Sequence, residues 1–266
     1  MPFALNTVIF IPARFASTRF PGKPLAELVG ATGVAKTLVQ RSWEAACAVK
    51  HASAYVLTDD DRIAEVAEGF GARVLMTSTT CRNGTERCAE ALALLKTEPD
   101  IVVNLQGDAL LTPPDYVEAL IKAMQASPSI QMATPVLSTE PEHLAQLKAD
   151  RKAGRVGATT AVFDVNGDAL YFSKEVLPFS DGVVDAPPVF HHIGCYAYRP
   201  AALRAYMSFA PGALETREGL EQLRFLESGI AVRCVKVEPK GRAFWEVNNP
   251  SDVPLVEAIL MREGIE

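Results

Sequence analysis

Across the first 125 residues, short continuous apolar runs alternate with stretches of helical periodicity, and few architectures accept that pattern. Residues 8–11 read as a buried strand stopped by Pro12, and residues 34–50 set Val34, Leu38, Val39, Trp43 and Ala46 at helical spacing. Residues 54–57 read as a second strand, 62–70 as a helix ended by Gly71, and 73–76 as a third strand. A helix over 86–95, a strongly apolar strand over 101–105 and a helix over 114–124 with Pro114 in its first turn complete the series. Strands apolar on both faces need helices on both sides, so the pattern predicts a mainly parallel α/β sheet. In such sheets ligands bind beyond the carboxyl ends of the strands, which directs attention to the residues that follow each strand.

The second half changes character. Residues 161–165, an Asn166-Gly167 turn and residues 169–172 read as a β-hairpin. Residues 191–198 read as a strand, 200–208 and 214–227 as helices, 231–237 as a strand, and 251–261 as a last helix with Ser251 at its N-cap. With no repeat and no low-complexity linker, a single α/β domain over residues 1–266 is expected, carrying a mixed or antiparallel extension.

Composition narrows the function. Apolar residues make up 48% and charged residues 22%, which excludes disordered and coiled-coil classes. Lys+Arg 26 against Asp+Glu 32 gives a net charge of −6, which argues against a nucleic-acid or membrane-surface binder but not against a small anionic substrate. No apolar stretch approaches the ~18 residues of a membrane span, and the first residues lack a basic, signal-like start. The five cysteines show no C-x-x-C spacing and the four histidines no metal-binding pattern, so free thiols and a cytoplasmic location are expected.

The loop after the first strand, residues 12–24, gathers Arg14, Ser17, Thr18, Arg19, Gly22 and Lys23. Cations, hydroxyls and backbone N–H groups in one loop suit a polyphosphate. It is neither a Walker A loop nor a G-x-G-x-x-G fingerprint, which disfavours a dehydrogenase.

The stretch IPARFASTRFPGKPL resembles the amino-terminal signature of the 3-deoxy-manno-octulosonate (Kdo) cytidylyltransferases, the CMP-Kdo synthetases. In order, the segment through Asn83-Gly84-Thr85-Glu86-Arg87, then VVNLQGDALLTPP, and then DALYFSK, HHIGCYAYRP and LETREGLEQLR are similar to further motifs of that family. The resemblance covers nearly the whole chain. It implies a Rossmann-like, GT-A-like nucleotidyltransferase fold with a β-hairpin-containing insertion: residues 1–128 as the CTP-binding half, 129–266 as the acceptor-binding and dimerising half. It also implies transfer of CMP from CTP to an acidic sugar with release of pyrophosphate, in lipopolysaccharide biosynthesis, by a cytoplasmic homodimer.

By resemblance, Arg14, Ser17, Arg19 and Lys23 would hold the triphosphate, and Arg14, Lys23 and Asp108 would act in catalysis. Asn83, Gly84, Thr85 and Arg87 would lie by the cytidine, and Gln106, Lys174, His192, Tyr196, Glu221 and Gln222 would complete the substrate contacts. Asp108 resembles the family's Mg²⁺ ligand, and Asn248 stands where the family has a second metal-binding Asp. An amide oxygen can also ligate Mg²⁺. Other departures cluster on the acceptor side: Ala109-Leu110 for Glu-Pro, Thr160 for Lys, Lys174 for Arg and His191 for Arg. The nucleotide half is kept while acceptor contacts are exchanged, so the acceptor is expected to be Kdo, a close analogue, another acid sugar or a phosphonate. A non-catalytic nucleotide-binding paralogue is the alternative from another class. A glycosyltransferase reading of Asp59-Asp60-Asp61 as D-x-D competes with a helix start, where acidic residues favour the dipole.

Overall fold

The structure, a computed structural model, describes residues 5–17, 19–107, 110–155, 158–179, 188–239, 247 and 249–266. β1 (Thr7–Pro12) is buried along almost its whole length, as a strand covered on both faces must be. After the basic loop and a 3₁₀ turn, the chain forms a small separate hairpin, β2 (Glu27–Val29) and β3 (Ala35–Thr37). α1 (Leu38–Cys47) begins at Thr37, whose hydroxyl accepts the Gln40 N–H at 3.3 Å. The helix expected from residue 34 is shortened because residues 35–37 pair with β2 instead.

β4 (Ala52–Thr58), α2 (Asp61–Gly69), β5 (Arg73–Met76), α3 (Gly84–Leu94), β6 (Ile101–Leu105) and α4 (Pro114–Ala126) follow. β5, β4, β1 and β6 lie side by side and parallel, in that order. Strands are first added on one side of β1; then the chain crosses over and lays β6 on the other. That reversal opens a crevice beyond the carboxyl ends of β1 and β6. Asp60 caps α2, accepting the Arg62 N–H at 3.0 Å, so the acidic triplet is a helix start.

The second half supplies β7 (Met132–Ser138), α5 (Pro141–Lys152), β8 (Thr159–Phe163), β9 (Ala169–Ser173), β10 (Phe190–His192) and β11 (Cys195–Tyr198). α6 (Pro200–Ser208), α7 (Ala213–Glu218), α8 (Leu223–Glu227), β12 (Val232–Val237) and α9 (Val253–Glu263) close the chain. The hairpin around Asn166-Gly167 forms as expected, as β8 and β9. The single strand expected over 191–198 is divided at Ile193-Gly194. β10 pairs antiparallel with β7 and β8, whereas β11 pairs with β6 and β7. One bent strand thus joins the parallel half of the sheet to the antiparallel half. The expected helix over 214–227 is two, α7 and α8, because Gly219 turns left-handed at φ 63°. The last helix starts at Val253 after a 3₁₀ turn capped by Asn249, not by Ser251.

Ile9 and Ile11 pack one face of the sheet with Val103, Val117 and Leu120. Phe10 packs the opposite face with Val102, Phe172, Tyr198 and Phe225. A third cluster, Leu28, Leu38, Leu110, Val256 and Leu260, seats α9 against the small hairpin. No helix among the described residues is long and apolar enough to cross a membrane.

Candidate active site

A cavity of ≈ 420 Å³ lies beyond the carboxyl ends of β1 and β6. Arg14, Ser17, Arg19 and Lys23 form one wall, Asn83, Gly84, Arg87 and Gln106 another, and Tyr196, Glu221 and Gln222 a third. Residues far apart in sequence, expected from four ordered motifs, therefore share one space. Thr85, Lys174 and His192 stand outside its lining, and Asp108 and Asn248 lie outside the described residues.

The basic loop is folded back on itself. Gly22, at φ 69°, donates its N–H to the Phe15 carbonyl at 3.0 Å, and the Ser17 hydroxyl accepts the Phe20 N–H at 3.3 Å. The Phe15 ring packs 3.4 Å beneath the Arg62 guanidinium, and Phe20 packs into the third core cluster. Two aromatic anchors thus hold the loop while Arg14 and Arg19 remain exposed. Lys23 Nζ donates to the Val247 carbonyl at 3.0 Å. Gly107 closes the neighbouring wall: a Cβ there would stand 2.8 Å from the Pro12 carbonyl oxygen, so a side chain would push the exits of β1 and β6 apart. Ser42 on α1 donates to the Gly107 carbonyl at 3.0 Å and fixes that exit.

Asn83 caps α3: its Oδ1 accepts the Glu86 N–H at 2.8 Å, and its Nδ2 donates to the Tyr206 hydroxyl at 3.0 Å. Thr85 is fully buried, with its hydroxyl 2.9 Å from that of Tyr198. Arg87 is 2% exposed; it donates to Asp59 Oδ2 at 2.8 Å and to Thr77 Oγ1, tying α3 to the end of β4.

The third wall is bonded to the first two. Glu221 accepts the Thr85 N–H at 3.1 Å and Gln106 Nε2 at 3.4 Å. Gln222 Oε1 accepts the Tyr196 hydroxyl at 3.2 Å. Lys174 donates its backbone N–H to Glu218 at 2.9 Å, and its Nζ lies 3.1 Å from where a Cβ on Gly219 would stand. Gly219 lines the cavity, so its missing side chain leaves the Lys174 ammonium room at the rim. His192 sits behind Tyr196, ring centroids 5.6 Å apart, with Nε2 3.0 Å from Thr134 Oγ1. Burial, reinforced by His191, lowers its pKa to about 3, so His192 is neutral near pH 7 and is a packing partner of the Tyr196 ring.

Beneath the cavity runs a buried ion network with only a faint sequence signal, the i, i+4 spacing of Arg82 and Glu86. Glu86 takes Arg82 at 2.6 Å and Arg224 at 3.1 Å, and Arg224 also holds Glu215 at 2.5 Å.

Burial raises the Glu221 pKa from 4.5 to about 7, against the bonds from Thr85 that favour its charged form. The folded protein therefore holds a proton that the unfolded chain releases between pH 4.5 and 7. Over that window stability falls as pH rises, by up to about 3 kcal/mol from this group. Thermal melts at stepped pH should show this slope in the wild type and a flatter profile in Glu221→Gln; parallel profiles would contradict the assignment.

The Mg²⁺ expectation rests on Asp108 and Asn248, and their sequence neighbours are informative. Gly107 abuts Pro12, and the Val247 carbonyl takes the Lys23 ammonium. A carboxylate and an amide oxygen are hard donors of the kind Mg²⁺ takes. Among the described residues, no group of three or more His, Cys, Asp or Glu is placed to hold a metal.

The sequence and the fold are matched by known proteins. The sequence model of the family described as "Cytidylyltransferase" covers residues 8–236. The 3-deoxy-manno-octulosonate cytidylyltransferase of Maricaulis maris (strain MCS10) is 42% identical over 98% of this chain and 99% of its own. The mitochondrial enzyme of that name from Arabidopsis thaliana is 40% identical over 98% of this chain and 85% of its own. A solved structure of CMP:2-keto-3-deoxy-manno-octonic acid synthetase complexed with CTP superposes with a TM-score of 0.84 at 32% identity, covering 97% of this chain and 99% of that one. Matched by a family model over most of its length and by named enzymes along nearly all of it, the chain belongs to the 3-deoxy-manno-octulosonate cytidylyltransferase family.

Proposed function

We propose that this chain transfers CMP from CTP to Kdo or a close acidic-sugar analogue and releases pyrophosphate. The observation that carries the reading is the three-walled cavity, which sets a basic loop opposite Tyr196, Glu221 and Gln222 in a chain 42% identical to a named Kdo cytidylyltransferase. Arg14, Ser17, Arg19 and Lys23 bind the triphosphate and stabilise the charge that grows on the departing pyrophosphate. The turn at Asn83-Gly84 lies at the cytidine, where a residue without a side chain lets the base approach the backbone. Tyr196, Glu221 and Gln222 hold the acceptor, with Lys174 at the rim for its anionic group. Alignment of the acceptor hydroxyl with the α-phosphate supplies much of the rate. Mg²⁺, held by Asp108 and Asn248, would supply charge neutralisation at the phosphate oxygens. The active form is a cytoplasmic homodimer, with residues 1–128 as the CTP-binding half and 129–266 as the acceptor-binding and dimerising half. Pyrophosphate release from CTP and Mg²⁺ with Kdo and a panel of other acid sugars and phosphonates tests the reading; CTP binding without release for any acceptor would leave a nucleotide-binding paralogue.

A changed acceptor is the second reading, favoured by where the exchanged residues sit. The Thr160 hydroxyl donates to the Glu175 carbonyl at 2.6 Å and accepts the Leu177 N–H at 3.1 Å. His191 is buried against His143, ring centroids 5.5 Å apart, and burial lowers its pKa to about 3. Thr160 spends its hydroxyl internally, and His191, buried and neutral near pH 7, presents no cation. Comparing kcat/KM across acceptors separates the readings, and a better substrate than Kdo would establish the second.

Asn248 contributes no charge at the metal position the resemblance gives it, so Mg²⁺ is expected to bind more weakly than with an Asp there. Asn248→Asp should lower the Mg²⁺ concentration for half-maximal rate several-fold; an unchanged Mg²⁺ titration would remove Asn248 from the metal site.

A further inference from the structure

A second cavity, ≈ 460 Å³, lies between α1, the segment Leu110–Thr112 and the chain's last turn, on residues the reaction does not use. Its walls hold two buried polar side chains with unmet hydrogen-bonding capacity. Arg41 is 4% exposed; its Nη2 donates to the Leu28 carbonyl at 2.7 Å, while Nε and Nη1 have no partner among the described residues. Thr112 is 2% exposed and its Oγ1 also has no partner among the described residues. Buried donors of this kind are nearly always satisfied, and an unmet guanidinium N–H is costly. Burial pulls the Arg41 pKa down, while Glu44, Glu266 and Glu257 push it up.

The remaining lining limits what could answer these groups. Leu110, Leu111, Leu260 and Ile265 give an apolar surface, and the carboxylates of Glu44, Glu263 and Glu266 stand around the same space. A bare anion would meet that acidic ring, and a bare cation would meet Arg41. One charge of each sign on a compact apolar body suits all three features.

We propose that this cavity is a binding site for a small apolar α-amino acid, a ligand class separate from the substrates of the transfer reaction. The carboxylate would answer Arg41 and Thr112, the ammonium the acidic ring, and the side chain the leucine wall. The cavity size is that of small-molecule sites in general. Its occupant would press on Leu110–Thr112, the segment that continues the chain from the cavity-lining Gly107, which α1 itself holds through Ser42.

Titration calorimetry on the full chain tests the proposal, with leucine, leucinamide (ammonium only) and 4-methylvalerate (carboxylate only) as probes. Leucine is expected to bind, and each half-charged analogue to bind about tenfold or more weakly, since each forfeits a charge-assisted contact. Arg41→Met should weaken leucine about tenfold while CTP binding is unchanged. If that variant does not fold, Thr112→Val carries the test, with an expected loss of several-fold. The proposal is overturned if leucine, isoleucine and phenylalanine all fail to bind at about 10 mM. It is equally overturned if the three probes bind alike, or if leucine binds a folded variant as it binds the wild type.

Discussion

Arg14→Ala is expected to reduce kcat/KM for CTP about 10²–10³-fold, the usual cost of removing one fixed charge-stabilising donor from a transfer site. Arg14 follows β1 at the point where the strand order reverses, and it opens the basic wall of the cavity. Its side chain is exposed, so its loss should shift the unfolding midpoint little, within about 0.5 kcal/mol. The division between constants is the informative part. Pyrophosphate carries more charge as it departs than it does within bound CTP, so kcat should fall as well as KM rise. An effect confined to KM would reduce Arg14 to a ground-state clamp, and an unchanged kcat/KM would remove it from the site. Steady-state rates across CTP concentrations, with binding of a non-hydrolysable CTP analogue alongside, separate these outcomes.

The same geometry explains what could be read from residues alone. The parallel half was legible because β1 and β6 are apolar at nearly every position, a pattern that only a strand covered on both faces tolerates. The loop after β1 was legible because its cations cluster in sequence. β7 was not, although it sits inside the sheet with β10 and β11 on one side and β12 on the other. Its Pro135 has no N–H to give, and proline in an interior strand normally argues against one. The Pro135 carbonyl still accepts the Ile193 N–H at 3.1 Å, at the bend between β10 and β11. α5 escaped notice for another reason: Leu147 is its sole buried residue, so it has almost no apolar stripe. Across 214–227 the apolar spacing was right, but the left-handed Gly219 ends one helix and re-aims the chain so that Glu221 and Gln222 face the cavity.

Within the site, many of the residues expected from four ordered motifs line the walls, but the bonds between walls had no sequence signal. Thr85 and Glu221 stand 136 positions apart, and only the docking of the second half on α3 brings them together. Thr85 illustrates the limit. Tertiary packing turns its hydroxyl to Tyr198, 2.9 Å away, while Asn83 caps the helix. His192 was expected at the substrate; its buried ring packs against Tyr196, outside the cavity lining.

The largest stability effect is expected beneath the cavity, at Arg224. This guanidinium is 2% exposed and bridges Glu86 on α3 to Glu215 on α7. Its ring-facing side packs on Tyr206, 4.1 Å from the ring centroid, and Tyr206 in turn receives the Asn83 amide. Arg224→Met keeps much of the volume and removes the charge, leaving Glu215 buried without its partner and Glu86 with Arg82 alone. Breaking a buried pair on one side costs about 3–5 kcal/mol, because the remaining charge has neither water nor a counter-ion. Denaturant titration should show that loss as a lower midpoint with an unchanged slope. Adding Glu215→Leu should restore part of it, since a buried pair replaced as a whole is often neutral. The pH response carries the second signature. Burial, the largest influence on Glu86, pushes its pKa up, but the bonds from Arg82 and Arg224 more than reverse this and leave it below 4.5. Glu86 therefore adds stability above pH 4.5 that disappears as pH falls through its lowered folded value. Arg224→Met should weaken that acid-limb dependence; a variant as stable as the wild type, with the same acid limb, would show that the network contributes nothing net to the fold.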